Sequence, residues 1–248
     1  NAAVSTTRRK IGTGSAFFDG SGDSRISILN GRGSLTFTSD LTIEFWFFAE
    51  SDTLYHVCPS CEAKPEAILS AGGPVNVNDD RGFEVGAFNG GKRKVFFRWY
   101  GTGTREGPRE FTLNAWHHVA VVRSSDSVFM FLDGALNGDV FSNPFGVNQH
   151  QRPCVIGADA DGGRAFLGFV DEVRLSKIAR WTSAFVPHGF GLVTPMPTPA
   201  PTAAKTGNPE VDLENEPEIV VSELGDLVPQ SLGVCPVKLG EVPEMPCV

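Results

Sequence analysis

"WHHVAVVRSSDSVFMFLDGALNG", residues 116–138, reads as two apolar strands joined by a polar turn, opening on Trp-His-His and running out through Asp-Gly. Successive side chains on a strand point to opposite faces. His117 and His118 are therefore parted by the pleat and do not converge on one metal ion. In the second strand Val128, Met130 and Leu132 share one face while Phe129 and Phe131 share the other. A two-layer sandwich normally keeps its outer faces polar. An apolar outer face has to be covered by a loop, a tail or a partner.

The same texture extends upstream and downstream. "SAFFDG", "SRISIL", "LTIEFWFFA", "EAILSAG", "GFEVGAF", "KVFFRWY", "CVIGA" and "AFLGFVDEVRLS" are short β-rich runs separated by Gly, Asp and Asn. No ten-residue amphipathic helix occurs, and only "SKIAR" offers a turn of helix. This is the pattern of an all-β antiparallel sandwich.

The chain changes character after residue 193. Residues 194–248 carry nine acidic and two basic side chains, a net of −7, with ten of the 17 prolines and no aromatic residue. Residues 1–193 form the aromatic-rich body, 194–207 a Pro-rich polyproline-like spacer, and 208–248 an acidic extended tail. Such a tail does not fold alone. It is expected to run along a neighbouring subunit, or across the outer face of its own sandwich near Phe129 and Phe131. The overall charge of −8 disfavours nucleic acid as a partner, and no apolar run approaches a membrane span. The start at Asn1, if it is a processed end, suggests export.

Five cysteines leave at least one thiol unpaired. Cys154, in strand phase with Ile156, reads as a buried free thiol, with Cys58–Cys61 and Cys235–Cys247 as the preferred bridges. Other pairings stay open, and in a reducing compartment all five are thiols. Cys58 and Cys61 with nearby His56 supply three zinc-ligand types but no fourth.

Four segments, "GSAFFDGSGDSRISI", "LTIEFWFF", "FTLNAWHHVAVVR…VFMFLDGALNG" and "VIGADADGGRAFLGFVDEVRLSKIARWTSAFVP", together resemble the laminin-G-like domain of the concanavalin A-like lectin/glucanase superfamily. They cover residues 12–187 in the family's order. The last resembles copies in bacteriophage virion proteins and in secreted modular proteins. The resemblance implies a two-sheet antiparallel jelly-roll, Asp133-Gly134 as a turn between strands, and His118 on the inward side with Trp116 and Ala120. It also implies a structural Ca²⁺ held by Asp171 of "FVDEVRL", with Asp19 of "FFDGSGD" and main-chain oxygens completing the six to eight ligands calcium needs.

Glucanases of this superfamily use paired carboxylates on one strand face. Glu44 and Glu50 share a face by parity, yet six residues of strand part them by ~20 Å, beyond the ~5 to 10 Å that glycoside hydrolysis uses. With no G-x-S-x-G or H-E-x-x-H, the sequence points away from an enzyme. For a sugar the family pattern turns Val95, Phe97 and Trp99 inward and Phe96, Arg98 and Tyr100 outward, an aromatic–guanidinium stripe fit for a glycan or another chain. The expected function is a non-enzymatic recognition or structural component of an extracytoplasmic or virion assembly, bound to other protein subunits. The alternative is a free-standing carbohydrate-binding lectin, and a glycoside hydrolase is the distant third.

Overall fold

The computed structural model describes residues 2–29, 35–37, 39–50, 65–71, 82–88, 92–99, 103–142, 153–187 and 219–221. In chain order the strands are β1 (Ala3–Ser5), β2 (Ser15–Asp19), β3 (Ile26–Ile28), β4 (Leu41–Ala49), β5 (Pro65–Ala71), β6 (Phe83–Phe88), β7 (Lys94–Trp99) and β8 (Gly103–Glu110). They continue as β9 (Trp116–Ser124), β10 (Ser127–Leu132), β11 (Ala135–Leu136), β12 (Phe141–Ser142), β13 (Cys154–Ile156), β14 (Leu167–Ser176) and β15 (Ile219–Val221). One sheet runs β1-β2-β14-β4-β9-β10-β11, with β12 on β10 and β15 on β14; the other runs β3-β13-β5-β6-β7-β8. All the pairings are antiparallel. The expected all-β jelly-roll sandwich is what forms, and "SKIAR" makes no helix.

The two sheets close over one apolar layer. Ile43, Phe45 and Phe47 of β4, Val119 and Val121 of β9, and Val128, Met130 and Leu132 of β10 meet Phe83 and Val85 of β6 and Val95, Phe97 and Trp99 of β7. Burying such β-branched and aromatic side chains contributes ~1.5–3 kcal/mol apiece. Cys154 lies in this layer as a free, fully buried thiol, and burial pushes its pKa up to about 12. It is inert as a nucleophile or metal ligand. The other four cysteines lie outside the described residues.

Simple parity fails once in β14. Val170 and Val173 both face the core although they are three residues apart. A bulge between Asp171 and Arg174 carries the extra residue, and Glu172 takes φ 52° to make it. The bulge resets the phase, so that Phe169 and Asp171 on one side of it, and Arg174 on the other, all point outward.

The outer face of the larger sheet is covered. Ala120, Val122 and Phe131 are buried beneath Ala179, Trp181 and Phe185, with Phe129 alongside. Three bonds fix this strap: Thr42 Oγ1 donates to the Ile178 carbonyl at 2.7 Å, Arg180 N–H donates to Thr42 Oγ1 at 3.0 Å, and Phe185 N–H donates to the Gly134 carbonyl at 2.9 Å. Residues 177–187 therefore cover the Phe129–Phe131 face; the acidic tail lies outside the described residues except at 219–221. The described piece of the tail, β15, lies edge-on instead, pairing Ile219, Val220 and Val221 with Leu175, Arg174 and Val173 where β2 no longer reaches.

Candidate ligand-binding surfaces

The stripe expected of Phe96 and Arg98 takes the expected face of β7 but is packed over. Val95, Phe97 and Trp99 face the core, and Phe96 and Arg98 face away from it. Yet Phe96 is 0% exposed. Its ring lies across Gly86 of the neighbouring strand, where even a Cβ would come within 2.7 Å of Cζ, and it packs on Phe88 at 4.9 Å. Arg98 stacks on Phe96 at 5.6 Å, donates through Nε to Thr104 at 2.9 Å, and shares Glu84 with Arg164. Arg164 in turn reaches Asp159 at 3.4 Å. The stripe is thus a closed, charge-balanced layer rather than an open aromatic platform, and Tyr100 lies outside the described residues. Sequence parity tells which face a residue takes but not what lies on that face.

The histidine pair is resolved by its partners. His117, not His118, faces the sandwich interior, touching Phe47 and Phe111. The expected inward set of Trp116, His118 and Ala120 faces outward, beneath the strap. Thr112 N–H donates to His117 Nε2 at 3.1 Å, and Nδ1 lies 2.8 Å from Asp133 Oδ2. Asp133 Oδ1 accepts from the His118 N–H at 2.9 Å. Asp133 and Gly134 take φ 53° and 74°, the two-residue hairpin turn that Asp-Gly favours. Burial raises the Asp133 pKa, but the hydrogen bonds from His117 and His118 outweigh it and hold the carboxyl below 3.8. These histidines staple a turn.

Glu44 lies 2% exposed under the strap, with His118 Nε2 at 3.3 Å, Arg180 Nε at 3.6 Å and Arg174 Nη1 at 3.9 Å. Glu50, just past the end of β4, pairs instead with Arg8 at 3.4 Å. The two carboxylates do not meet.

Nor do Asp171 and Asp19. Asp19 sits opposite Leu167 in the β2–β14 register, four residues along from Asp171, or ~13 Å of strand. Asp19 is exposed and accepts from the Ser21 N–H at 2.8 Å. Asp171 is buried, and its Oδ2 accepts the N–H groups of Lys10 at 2.8 Å and Ile11 at 3.1 Å, while Oδ1 accepts that of Glu172. Burial pushes its pKa up and these three donors pull against it. Three N–H dipoles aimed at a carboxylate do the work of a cation, and Asp171 uses them to hold residues 10–11 down on the sheet. Among the described residues no group of three or more His, Cys, Asp or Glu converges. Asp159 closes its own turn, accepting from the Gly163 N–H at 2.6 Å.

One concavity among the described residues was not legible in the sequence. It is a shallow groove of about 410 Å³ over β1, β2 and β14, lined by Ser5, Thr7, Phe17, Glu50 and Phe169 among others. Phe17 and Phe169 meet ring to ring at 4.9 Å, Phe48 lies 5.9 Å beyond, and Arg8 spreads over Phe48 at 4.3 Å and Phe169 at 5.1 Å. Its residues come from four separate places in the chain.

A laminin-G family model described as the concanavalin A-like lectin/glucanases superfamily matches residues 19–183, most of the body. The chain belongs to this superfamily. No curated protein sequence matches it. Among solved structures it is similar to domain 4 of AbnA, an extracellular arabinanase of Geobacillus stearothermophilus in complex with arabinotriose. That match has TM-score 0.52 and 15% identity, over 72% of this chain and 76% of that one. It is also similar to the CBM40 of the Ruminococcus gnavus IT-sialidase bound to α2,3-sialyllactose, with TM-score 0.52 and 14% identity over 68% and 91%. The binding domain of Paraclostridial Mosquitocidal Protein 1 matches at TM-score 0.55 and 13% identity, over 72% of this chain but 42% of that one. At such identities the likeness establishes the fold.

Proposed function

We propose that the body is a non-catalytic recognition module for carbohydrate and that the tail ties it into a larger extracytoplasmic assembly, in a virion or at a cell surface, among other protein subunits. The observation that carries the non-catalytic reading is Glu44. It occupies the strand that would have to supply a hydrolase carboxylate, and it is sealed beneath Trp181 and Phe185 with Arg174, Arg180 and His118 around it. A general acid must reach solvent and substrate, and Glu44 is shut off from solvent at 2% exposure. The carbohydrate-bound state of two fold relatives supports a sugar as ligand. The decisive comparison is retention against cleavage: affinity electrophoresis of the full chain through gels cast with polysaccharide, beside a reducing-end assay on the same polysaccharides. Retardation without new reducing ends is expected. Steady release of reducing ends that Glu44→Gln abolishes would overturn the non-catalytic reading.

The pairing of Ile219–Val221 with β14 supports the tether. It gives the tail a point of attachment made of backbone bonds, which any exposed antiparallel edge of the same length and register can reproduce. No helix among the described residues is long and apolar enough to cross a membrane.

A further inference from the structure

We infer that the groove over β1, β2 and β14 is the sugar site, and that it takes a short neutral oligosaccharide; this rests on the recognition reading above and gives it a location. The groove holds the two kinds of surface that a sugar ring needs on adjoining walls. Phe17 and Phe169 give an apolar floor, Phe17 half-buried and its ring open to the groove. The C–H face of a pyranose or furanose ring packs on such a floor, and its edge presents hydroxyl pairs to planar bidentate groups. Arg8 and Glu50 are such groups, 3.4 Å apart with side chains 41% and 32% exposed, and the hydroxyls of Ser5 and Thr7 border the same space.

The wall is built in advance of any ligand. Ser5 Oγ accepts the Arg8 N–H at 3.2 Å, Ser15 Oγ donates to the Arg8 carbonyl at 2.5 Å, and Asp171 accepts the N–H groups of Lys10 and Ile11. The Arg8 guanidinium is further held against the rings of Phe48 at 4.3 Å and Phe169 at 5.1 Å. A pinned backbone and a stacked guanidinium lose little freedom on binding, which favours affinity. Asp171 holds residues 10–11, and with them the segment that carries Arg8, down beside the groove.

Size and charge narrow the ligand. About 410 Å³ falls within the ~300–1,000 Å³ of small-ligand sites. The charged side chain of the lining is Glu50, paired with Arg8 beside the groove, so the lining holds no surplus positive charge for a sulfate, phosphate or sialyl carboxylate. The shallow form suits a few sugar units lying flat rather than an enclosed acyl chain.

The test uses the full chain on a glycan array of neutral hexose and pentose oligosaccharides, arabinotriose among them, with sialylated and sulfated glycans as the charged set. Variants are Glu50→Gln, Phe17→Ala and, on the far sheet, the exposed ion pair Lys92→Ala with Glu106→Ala, all checked by thermal melting. Neutral glycans should bind, and Glu50→Gln, a change at the surface that leaves the fold intact, should weaken them at least tenfold. Phe17→Ala should do the same, and the far-sheet double variant should have no effect. Binding that survives Glu50→Gln and falls in the far-sheet variant puts the site on the other face and overturns the groove alone. Binding confined to charged glycans overturns the ligand class. An array with no bound glycan removes the carbohydrate reading itself.

Discussion

Asp133 shows how a motif that looks like a site becomes a joint. Its two oxygens serve His117 Nδ1 and the His118 N–H while its own backbone makes the hairpin turn. Asparagine keeps the Asn-Gly turn preference but sets an amide N–H₂ against one of those two donors. Asp133→Asn should therefore cost ~1–3 kcal/mol at neutral pH, the range for leaving a polar group without its partner. The effect is pH-dependent because the folded pKa lies below 3.8, the ordinary value. A carboxylate of that kind contributes its stability above the unfolded value and loses it as pH falls through the folded one. Thermal melts from pH 7 down to pH 2 should show the gap between wild type and variant at full size at pH 7. It should narrow below 3.8; a gap that stays constant into acid would refute the charge-based account. Asp171 has the opposite shift, its pKa raised by burial, so its ionisation opposes folding above 3.8 and its hydrogen bonds to Lys10 and Ile11 offset that cost.

At the scale of elements, the apolar second face of β10 demanded a cover, and residues 177–187 supply one. Trp181 and Phe185 stack 3.9 Å apart, and Phe185 meets Phe131 edge-on at 5.3 Å. Both cover residues are themselves only half-buried. Phe185→Ala should cost about 2 kcal/mol, below the ~3–5 kcal/mol of a fully enclosed aromatic. The sandwich should survive while dye binding to exposed apolar surface rises and amide exchange quickens in β9 and β10. Unchanged exchange there would show that the strap does not shield the face. The same strap explains why Glu44 and His118 are inaccessible, so one element both completes the packing and shuts the Glu44 carboxylate off from solvent.

At the scale of the whole molecule, the tether rests on the tail. Its described contact with the body is three residues of strand on β14. Deleting residues 205–248 should leave the melting temperature of the body within a few degrees, since the described core draws on residues 2–175. Amide exchange at 173–175 should rise as that edge loses its partner. In the native assembly the truncated chain should fail to incorporate; normal incorporation would remove the tether. The deletion should leave glycan retention untouched, because Arg8, Phe17, Glu50 and Phe169 all lie in the body.

Local alternation and turn chemistry are properties of short stretches, and the sequence alone was enough to read them. The strands, the inward set Val95–Phe97–Trp99, the two faces of β10, the Asp133-Gly134 turn and the buried thiol of Cys154 all follow from period two and residue type. Which side of the sheet faced the core at Trp-His-His was not local, because a period of two fixes the relation between neighbours and leaves the sign free. The phase reset in β14, the sealing of Phe96 over Gly86 and the engagement of Asp171 by Lys10 and Ile11 each depend on segments far apart in the chain. So does the groove, whose Arg8, Phe17, Glu50 and Phe169 adjoin only because β2 and β4 flank β14 and residues 5–11 fold back over that sheet. Spacing along a strand says how far apart its own residues are; which residues from other strands become their neighbours is decided by strand order and register.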